Sequence, residues 1–224
     1  MKKAVFIDVD NTLLDFNKCA ARAVAEIMTA YGIEYRPAFF KVFKSINDDL
    51  WRRHEKGIIT KDELYAIRFN RIFAHLDLDM DGKEFEAEFR KKLFHLAEPV
   101  DGAAEALKYL HSKYKVFVAS NAQQDQQVAR LGAAGMLDYI DAVYTSERVG
   151  FQKPRKEFFR AVIDDCGYKA EEIVFIGDSQ TADVRGGNEC GLTTVWFNFD
   201  QEVLLPDVRP EYIIDSLYEI PSIL

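Results

Sequence analysis

The sequence predicts an α/β fold: a Rossmann-like three-layer core on a parallel sheet, plus an inserted helical-bundle cap domain. Three observations carry this. Several short runs are apolar at every position and end in small or polar residues, which suits strands of a parallel sheet covered on both faces. Helical periodicities separate these runs, and alternating strand and helix implies right-handed parallel crossovers. The stretch 16–97 contains no strand-like run and is too long for a crossover, so it reads as an insertion, leaving 1–15 and 98–224 as the core domain.

Taken in order, AVFI at 4–7 is the first strand and runs into DVDNT. The insertion is rich in helix formers, aromatics and charges, as in ARAVAEIMTAYG and KEFEAEFRKKLFHL. Phe39, Phe40, Phe43, Trp51, Phe69, Phe73, Phe85, Phe89 and Phe94 recur at helical spacings and are expected to form its own core. The charge run from Glu84 to Lys92 reads as a solvated helix face. Pro99 and Gly102 mark the return to the sheet. GAAEALKYLHSKY follows as a helix with Ala103, Ala106, Leu107 and Leu110 on one face, then VFVA and AVY as strands. KEFFRAVIDDCG places Phe158, Phe159, Val162, Ile163 and Cys166 together and ends at Gly167, a C-cap. IVFI and TTVWF complete the set of strands.

The bulk composition narrows the function classes. With 224 residues, 48% hydrophobic and 29% charged, the chain has a globular composition and buries a large core without covalent staples. A formal net charge of -8 with no basic tail argues against a nucleic-acid polymer as partner. No run is long enough to span a bilayer, and MKKAVFIDVD lacks the cleavage pattern of a signal peptide, so a cytoplasmic, non-membrane protein is expected. Cys19, Cys166 and Cys190 are odd in number and form no CxxC, which fits reduced bystanders. His54, His75, His95 and His111 form neither HxH nor HExxH, and the signatures of serine hydrolases, nucleotide phosphate loops and dinucleotide folds are absent.

In an open parallel sheet, ligands bind beyond the carboxyl ends of the strands, where Asp8 and Asp10 sit. DVDNT taken alone also reads as a solvated turn. Other strand ends carry complementary groups, however: Ser120-Asn121 after VFVA, Lys153-Pro154 after the strand at Tyr144, and Gly177-Asp178-Ser179 with Asp183 after IVFI. Two carboxylates about 4 Å apart repel by roughly 4 kcal/mol at an effective dielectric near 20. A cluster of Asp8, Asp10, Asp178 and Asp183 therefore either raises its own pKa values or recruits a cation, and oxygen-only ligands suit Mg²⁺. Lys153, Ser120 and the backbone amides around Asn11, Thr12 and Asn121 supply donors for a phosphoryl group. In outline, Asp8 attacks phosphorus and Asp10 shuttles protons, so the two carboxylates carry different duties.

DVDNT, the serine of SNA, the lysine of QKP, and GDSQTAD resemble the four motifs of the haloacid dehalogenase-like (HAD) superfamily of phosphatases. The resemblance implies that Asp8 is nucleophile and Mg²⁺ ligand, and that Asp10 is the acid/base whose backbone carbonyl also reaches the metal. It implies that Thr12 supports the loop, that Ser120 and the Asn121 amide hold phosphoryl oxygens, and that Lys153 stabilises the transferring group. Asp178 is then a direct metal ligand, and Asp183 orients the metal shell. Ala122 stands where the family commonly has glycine, and Asn11 where a glycine or acid is commoner.

WRRHEKGIITKDEL, QKP and ADVRGGNECGLTTVWFN resemble the branch containing bacterial pyrimidine 5'-nucleotidases. Gly186, Gly187 and Gly191 also read simply as close packing and turning, and Trp196 as core. The resemblance implies a phosphomonoesterase on (deoxy)pyrimidine nucleoside monophosphates; a monomer or homodimer is expected. Phe16 and Asn17 are candidates for stacking and bonding the base, with Arg22, Trp51, Arg52 and His54 behind them. A sugar-phosphate or phosphoglycolate phosphatase, a phosphomutase and a non-catalytic phosphate-binding module are the alternatives. A dehalogenase fits less well, because a halide leaving group needs no proton and so no Asp10.

Overall fold

A computed structural model describes residues 1–224. Six parallel strands, β1 (Ala4–Ile7), β2 (Lys115–Ser120), β3 (Ala142–Thr145), β4 (Ile173–Gly177), β5 (Thr193–Phe197) and β6 (Tyr212–Ile214), form one sheet in the order β3-β2-β1-β4-β5-β6. The α/β, Rossmann-like class expected from the apolar runs is the class observed. The helices are α1 (Phe16–Ala30), α2 (Pro37–Glu55), α3 (Lys61–His75), α4 (Gly82–Leu93), α5 (Ala103–Lys113), α6 (Gln124–Ala133), the single turn α7 (Ser146–Val149), α8 (Lys156–Cys166), and the short α9 (Gly186–Glu189) and α10 (Ile220–Ile223). Residues group into two compact units: Met1–Phe16 with Ala97–Leu224, and Asn17–Leu96. No helix is long and apolar enough to cross a membrane.

The uniformly apolar strands follow from two covered faces. Val5 and Ile7 of β1, Val116 and Val118 of β2, and Val174 and Ile176 of β4 pack with Ala103, Ala106, Leu107 and Leu110 of α5 and with Leu131 of α6. Their neighbours Ala4, Phe6, Phe117, Ala119, Ile173 and Phe175 point the other way, onto Phe158, Phe159 and Val162 of α8. Gly167 ends α8 with φ 76°, the left-handed C-cap that glycine accepts without strain. The strand β6 is a difference from the sequence reading. It is three residues long, sits at the sheet edge, and leaves Tyr212 and Ile213 exposed, so it lacks the buried apolar run that marks the others.

The second unit is a helical bundle. Pro37 opens α2, Thr60 and Glu63 cap α3 reciprocally, and the Asp81 carboxylate accepts from the first amides of α4. Phe43, Phe69, Phe73, Phe85 and Phe89 form its core, with the Phe69 and Phe85 ring centroids 4.5 Å apart. Phe39 is buried too, while Phe40, Trp51 and Phe94 are only partly so.

The run 84–92 is not wholly a solvated face, because Glu86 is buried. It accepts from Arg68 Nη2 at 2.6 Å and Nε at 3.0 Å, while Arg68 Nη1 donates to Asn47 Oδ1 at 2.9 Å. Burial pushes the Glu86 carboxyl up, against the pull of Arg68. Removing one partner of such a pair leaves the other charge buried alone. Arg68→Met is therefore expected to cost about 3–5 kcal/mol in urea unfolding, with Arg68→Met/Glu86→Leu recovering most of it. A single-variant cost under about 1 kcal/mol would show that the pair carries nothing.

Candidate active site

Register assembles the site. Ile7 of β1 pairs with Val118 and Ile176, so the next residue, Asp8, lies level with Ala119 and Gly177, and Ser120 and Asp178 are one residue further on. The Asp8 amide extends the ladder to Ile176 O at 2.9 Å. The strand order turns outward on both sides of β1, which is where an open α/β sheet forms its crevice.

Lys153 is buried and spends all three ammonium protons here. Its Nζ donates to Asp8 Oδ1 at 2.8 Å, Asp183 Oδ1 at 2.7 Å and Ala119 O at 2.7 Å. Carboxylate oxygens of Asp8, Asp178 and Asp183 all lie within 4.8 Å of one another. Burial pushes the Asp8 carboxyl up to about 7; Lys153 opposes this, and Asp183 and Asp10 add to it. Asp178 is raised well above the usual range by burial and by the charges of Asp8 and Asp183. Lys153 is raised as well, because the two carboxylates outweigh its own burial. Three carboxylates against one ammonium leave uncompensated negative charge, and an all-oxygen donor set of this kind fits a hard divalent cation such as Mg²⁺.

Asp183 sits in a π-helical turn, Gln180–Arg185, a rare form that is frequent at functional sites. Its Oδ2 accepts from the Ser179 amide at 3.0 Å. Gly177 makes room for it, since any Cβ at that position would collide with the Asp183 carboxyl. A Cβ on Gly186 would lie 2.6 Å from the Phe159 ring, so this glycine serves close packing of α9 against α8. Trp196 is core, as its sequence context suggests, but its Nε1 also donates to Asp178 O at 2.8 Å and so fixes the backbone of that acid.

Ser120 Oγ accepts from the Ala122 amide at 3.1 Å and from Gln127 Nε2 at 3.0 Å. Both lone pairs are then engaged, and its one proton is left for an external acceptor. The Asn121 side chain is turned to the Lys153 backbone, donating from Nδ2 to Lys153 O at 3.0 Å and accepting from Lys153 N at 2.8 Å. It thus splints the lysine's loop.

The amides of Asn11 and Thr12 differ from expectation. Asn11 N donates to Leu14 O at 2.7 Å and Thr12 N to Val9 O at 3.2 Å, because residues 9–14 curl into a closed loop with Asn11 at φ 57°. Asparagine tolerates that conformation, which explains its place there. These amides shape the loop instead of facing the crevice. Phe16 and Asn17 open α1, both half-buried. His54 is buried, with Nδ1 3.1 Å from Ile59 O, as a core histidine. Asp10 is not among these three clustered acids; its carboxylate is bonded to Gln127 and Arg130 of α6, two residues that carry no motif in the sequence.

A carboxylate at the end of the central strand, a buried lysine on it and two further acids from the neighbouring strand end define a Rossmann-like hydrolase. The chain belongs to the haloacid dehalogenase-like hydrolase family, whose model matches residues 2–191. The HAD-hydrolase YfnB of Bacillus subtilis is 33% identical over 223 residues, covering 99% of this chain and 95% of that protein. The magnesium-bound crystal structure of YfnB superposes with a TM-score of 0.94 at 32% identity, covering 100% of this chain and 98% of the other. The pyrimidine 5'-nucleotidase PynA of Streptococcus pneumoniae is 31% identical over 220 residues, covering 97% of this chain and 93% of PynA.

The raised carboxyls give a prediction for metal-free protein. A carboxyl held above its unfolded value adds stability that is fully present below about pH 4 and is lost as pH rises toward about 7. Cation binding needs the deprotonated form, so the two effects oppose each other. Saturating Mg²⁺ is expected to raise Tm over the EDTA form by about 5–10 °C at pH 8 and by clearly less at pH 6. An equal rise at both pH values in differential scanning fluorimetry would contradict the assignment.

Proposed function

We propose that the protein is a Mg²⁺-dependent phosphomonoester hydrolase acting through an aspartyl phosphate on Asp8, with (deoxy)pyrimidine nucleoside 5'-monophosphates as substrates. The observation that carries the chemistry is the buried Asp8–Lys153–Asp183 array with Asp178 beside it. The resemblance to PynA over nearly the whole chain favours the substrate class. Asp8, Asp178 and the Asp10 carbonyl would hold Mg²⁺, with Asp183 orienting its shell, and the ion would supply charge neutralisation at the phosphoryl oxygens. Asp8 attacks phosphorus; as the bond to the nucleoside oxygen breaks, Asp10 donates its proton to that oxygen. Water then attacks the acyl phosphate while Asp10 takes back a proton, releasing phosphate and restoring Asp8. Ser120 donates its free proton to a phosphoryl oxygen, and Lys153 keeps Asp8 aligned and offsets charge. Three unpaired cysteines fit a reducing cytoplasm as its compartment.

The test is phosphate release from a panel of nucleoside monophosphates, sugar phosphates and phosphoglycolate, with Mg²⁺ and with EDTA. Mg²⁺-dependent release strongest on UMP, dUMP or dTMP is the expected result. Release confined to a sugar phosphate or phosphoglycolate keeps the chemistry and overturns the substrate class, and release undiminished by EDTA overturns the metal requirement.

A further inference from the structure

We infer that Gln127 and Arg130, one turn apart on α6, are positioning residues that hold the Asp10 carboxylate and the Ser120 hydroxyl in fixed relation for proton transfer to a phosphoester leaving group. The inference rests on the acid/base role proposed for Asp10. Arg130 Nη1 donates to Asp10 Oδ1 at 2.6 Å and to Gln127 Oε1 at 3.2 Å. Gln127 Nε2 donates to Asp10 Oδ2 at 2.7 Å and to Ser120 Oγ at 3.0 Å. The orientation of the Gln127 amide is forced, because turning it over would set its oxygen against a carboxylate and its NH₂ against a guanidinium.

Burial separates this arrangement from an ordinary surface ion pair. Gln127 is fully buried and Arg130 is 1% exposed, whereas the Asp10 side chain keeps 28% of its surface open. An arginine placed under a core helix gains the fold little over an apolar residue of similar size. What the pair does secure is geometry. Both Asp10 oxygens are held, yet about two of the carboxylate's four lone-pair sites stay unused, so a proton can be taken or given without release from the clamp. A single nitrogen, Gln127 Nε2, bonds both Asp10 and Ser120, so the atom that serves the leaving oxygen and the atom that serves a phosphoryl oxygen share one support. Positioning of this kind is felt in rate, since misplacement by about 1 Å can cost on the order of 100-fold.

The test compares kcat/KM for a nucleoside 5'-monophosphate, whose alkoxide leaving group needs a proton, with that for p-nitrophenyl phosphate, whose leaving group does not. Wild type, Asp10→Asn, Gln127→Met, Arg130→Lys and Arg130→Lys/Asp10→Asn are measured with Mg²⁺. Arg130→Lys is expected to lower the nucleotide value by on the order of 10- to 100-fold and the aryl value by less than about threefold. Gln127→Met is expected to show the same selective loss, added to a common rise in KM through Ser120. In the Asp10→Asn background, Arg130→Lys is expected to cost nothing further, because both changes act on one proton transfer.

Equal losses on both substrates, or an undiminished Arg130→Lys effect in the Asp10→Asn background, would reduce the pair to a structural role and overturn the inference while leaving Asp10 as acid/base. If Asp10→Asn itself fails to discriminate between the substrates, the acid/base reading and this inference fall together. If Arg130→Lys does not fold, the substrate ratio of Gln127→Met decides.

Discussion

Asp8→Asn is expected to remove phosphate release by at least about 10⁴-fold while leaving the metal-free protein as stable as wild type or more so. The loss follows from chemistry, because an amide of the same shape cannot attack phosphorus to form an acyl phosphate. The stability result follows from the sign of the Asp8 shift. A carboxyl pushed up to about 7 lies where burial and the neighbouring acids disfavour its charge more than Lys153 favours it. A neutral isostere therefore suits the metal-free fold near neutral pH, although the 2.8 Å bond from Lys153 is weakened. The gain in Tm on adding Mg²⁺ is expected to shrink in the same variant. Acid-quenched wild type should carry a covalent phosphoryl group that the variant lacks. Turnover retained within tenfold of wild type would remove Asp8 from the nucleophile's place.

Lys153→Met is the second large effect, and it divides between rate and stability. The ammonium is the only cation bonded to Asp8 and Asp183, and it also satisfies Ala119 O. Without it, three carboxylates remain in a cluster where Asp8 and Asp183 are buried and Asp178 is partly so, and breaking a buried array costs about 3–5 kcal/mol. In EDTA at pH 8 the variant is expected to unfold earlier by about that amount, and to recover partly with Mg²⁺. Stability should also return as pH falls. With the counter-charge gone, Asp8 and Asp178 are held still further above their unfolded values, so the stability they add is present at low pH and lost on the way up. Turnover is expected to fall by on the order of 10³-fold even with Mg²⁺ saturating, because alignment of Asp8 is lost. A variant as stable as wild type at pH 8 in EDTA would show that the acids are already compensated by something else.

Much of the fold was legible because parallel strands covered on both faces must be apolar at consecutive positions. That requirement exposed AVFI, VFVA and IVFI, and their ends pointed to Asp8, Ser120 and Asp178. The edge strand Tyr212–Ile214 escaped, since it faces solvent and needs no such run. Gln127 and Arg130 escaped for a different reason: on an amphipathic helix, glutamine and arginine signal a wet face, and only tertiary placement turns that face inward. Glu86 was hidden in the same way, inside a charge run that reads as a solvated face, and so was its partner Arg68. The loop amides of Asn11 and Thr12 were misjudged because no residue type reveals that residues 9–14 bond among themselves. Trp196 was rightly read as core, yet nothing in its identity announced the bond to Asp178 O.

The strand order bears on how the molecule is made. The strand that leads into Asp8 is synthesised ahead of the other five, yet both of its neighbours, β2 and β4, begin only at Lys115 and Ile173. Until those segments emerge, AVFI has no partner for its backbone, and Asp8 has neither Lys153 nor Asp178 beside it. Residues 17–96, by contrast, are contiguous and find their aromatic partners within a short span of chain. Synthesis therefore favours early closure of the helical unit and leaves the first strand to be captured late, so a ribosome stalled midway through the message displays a bundle with an unsatisfied leader and no chemistry.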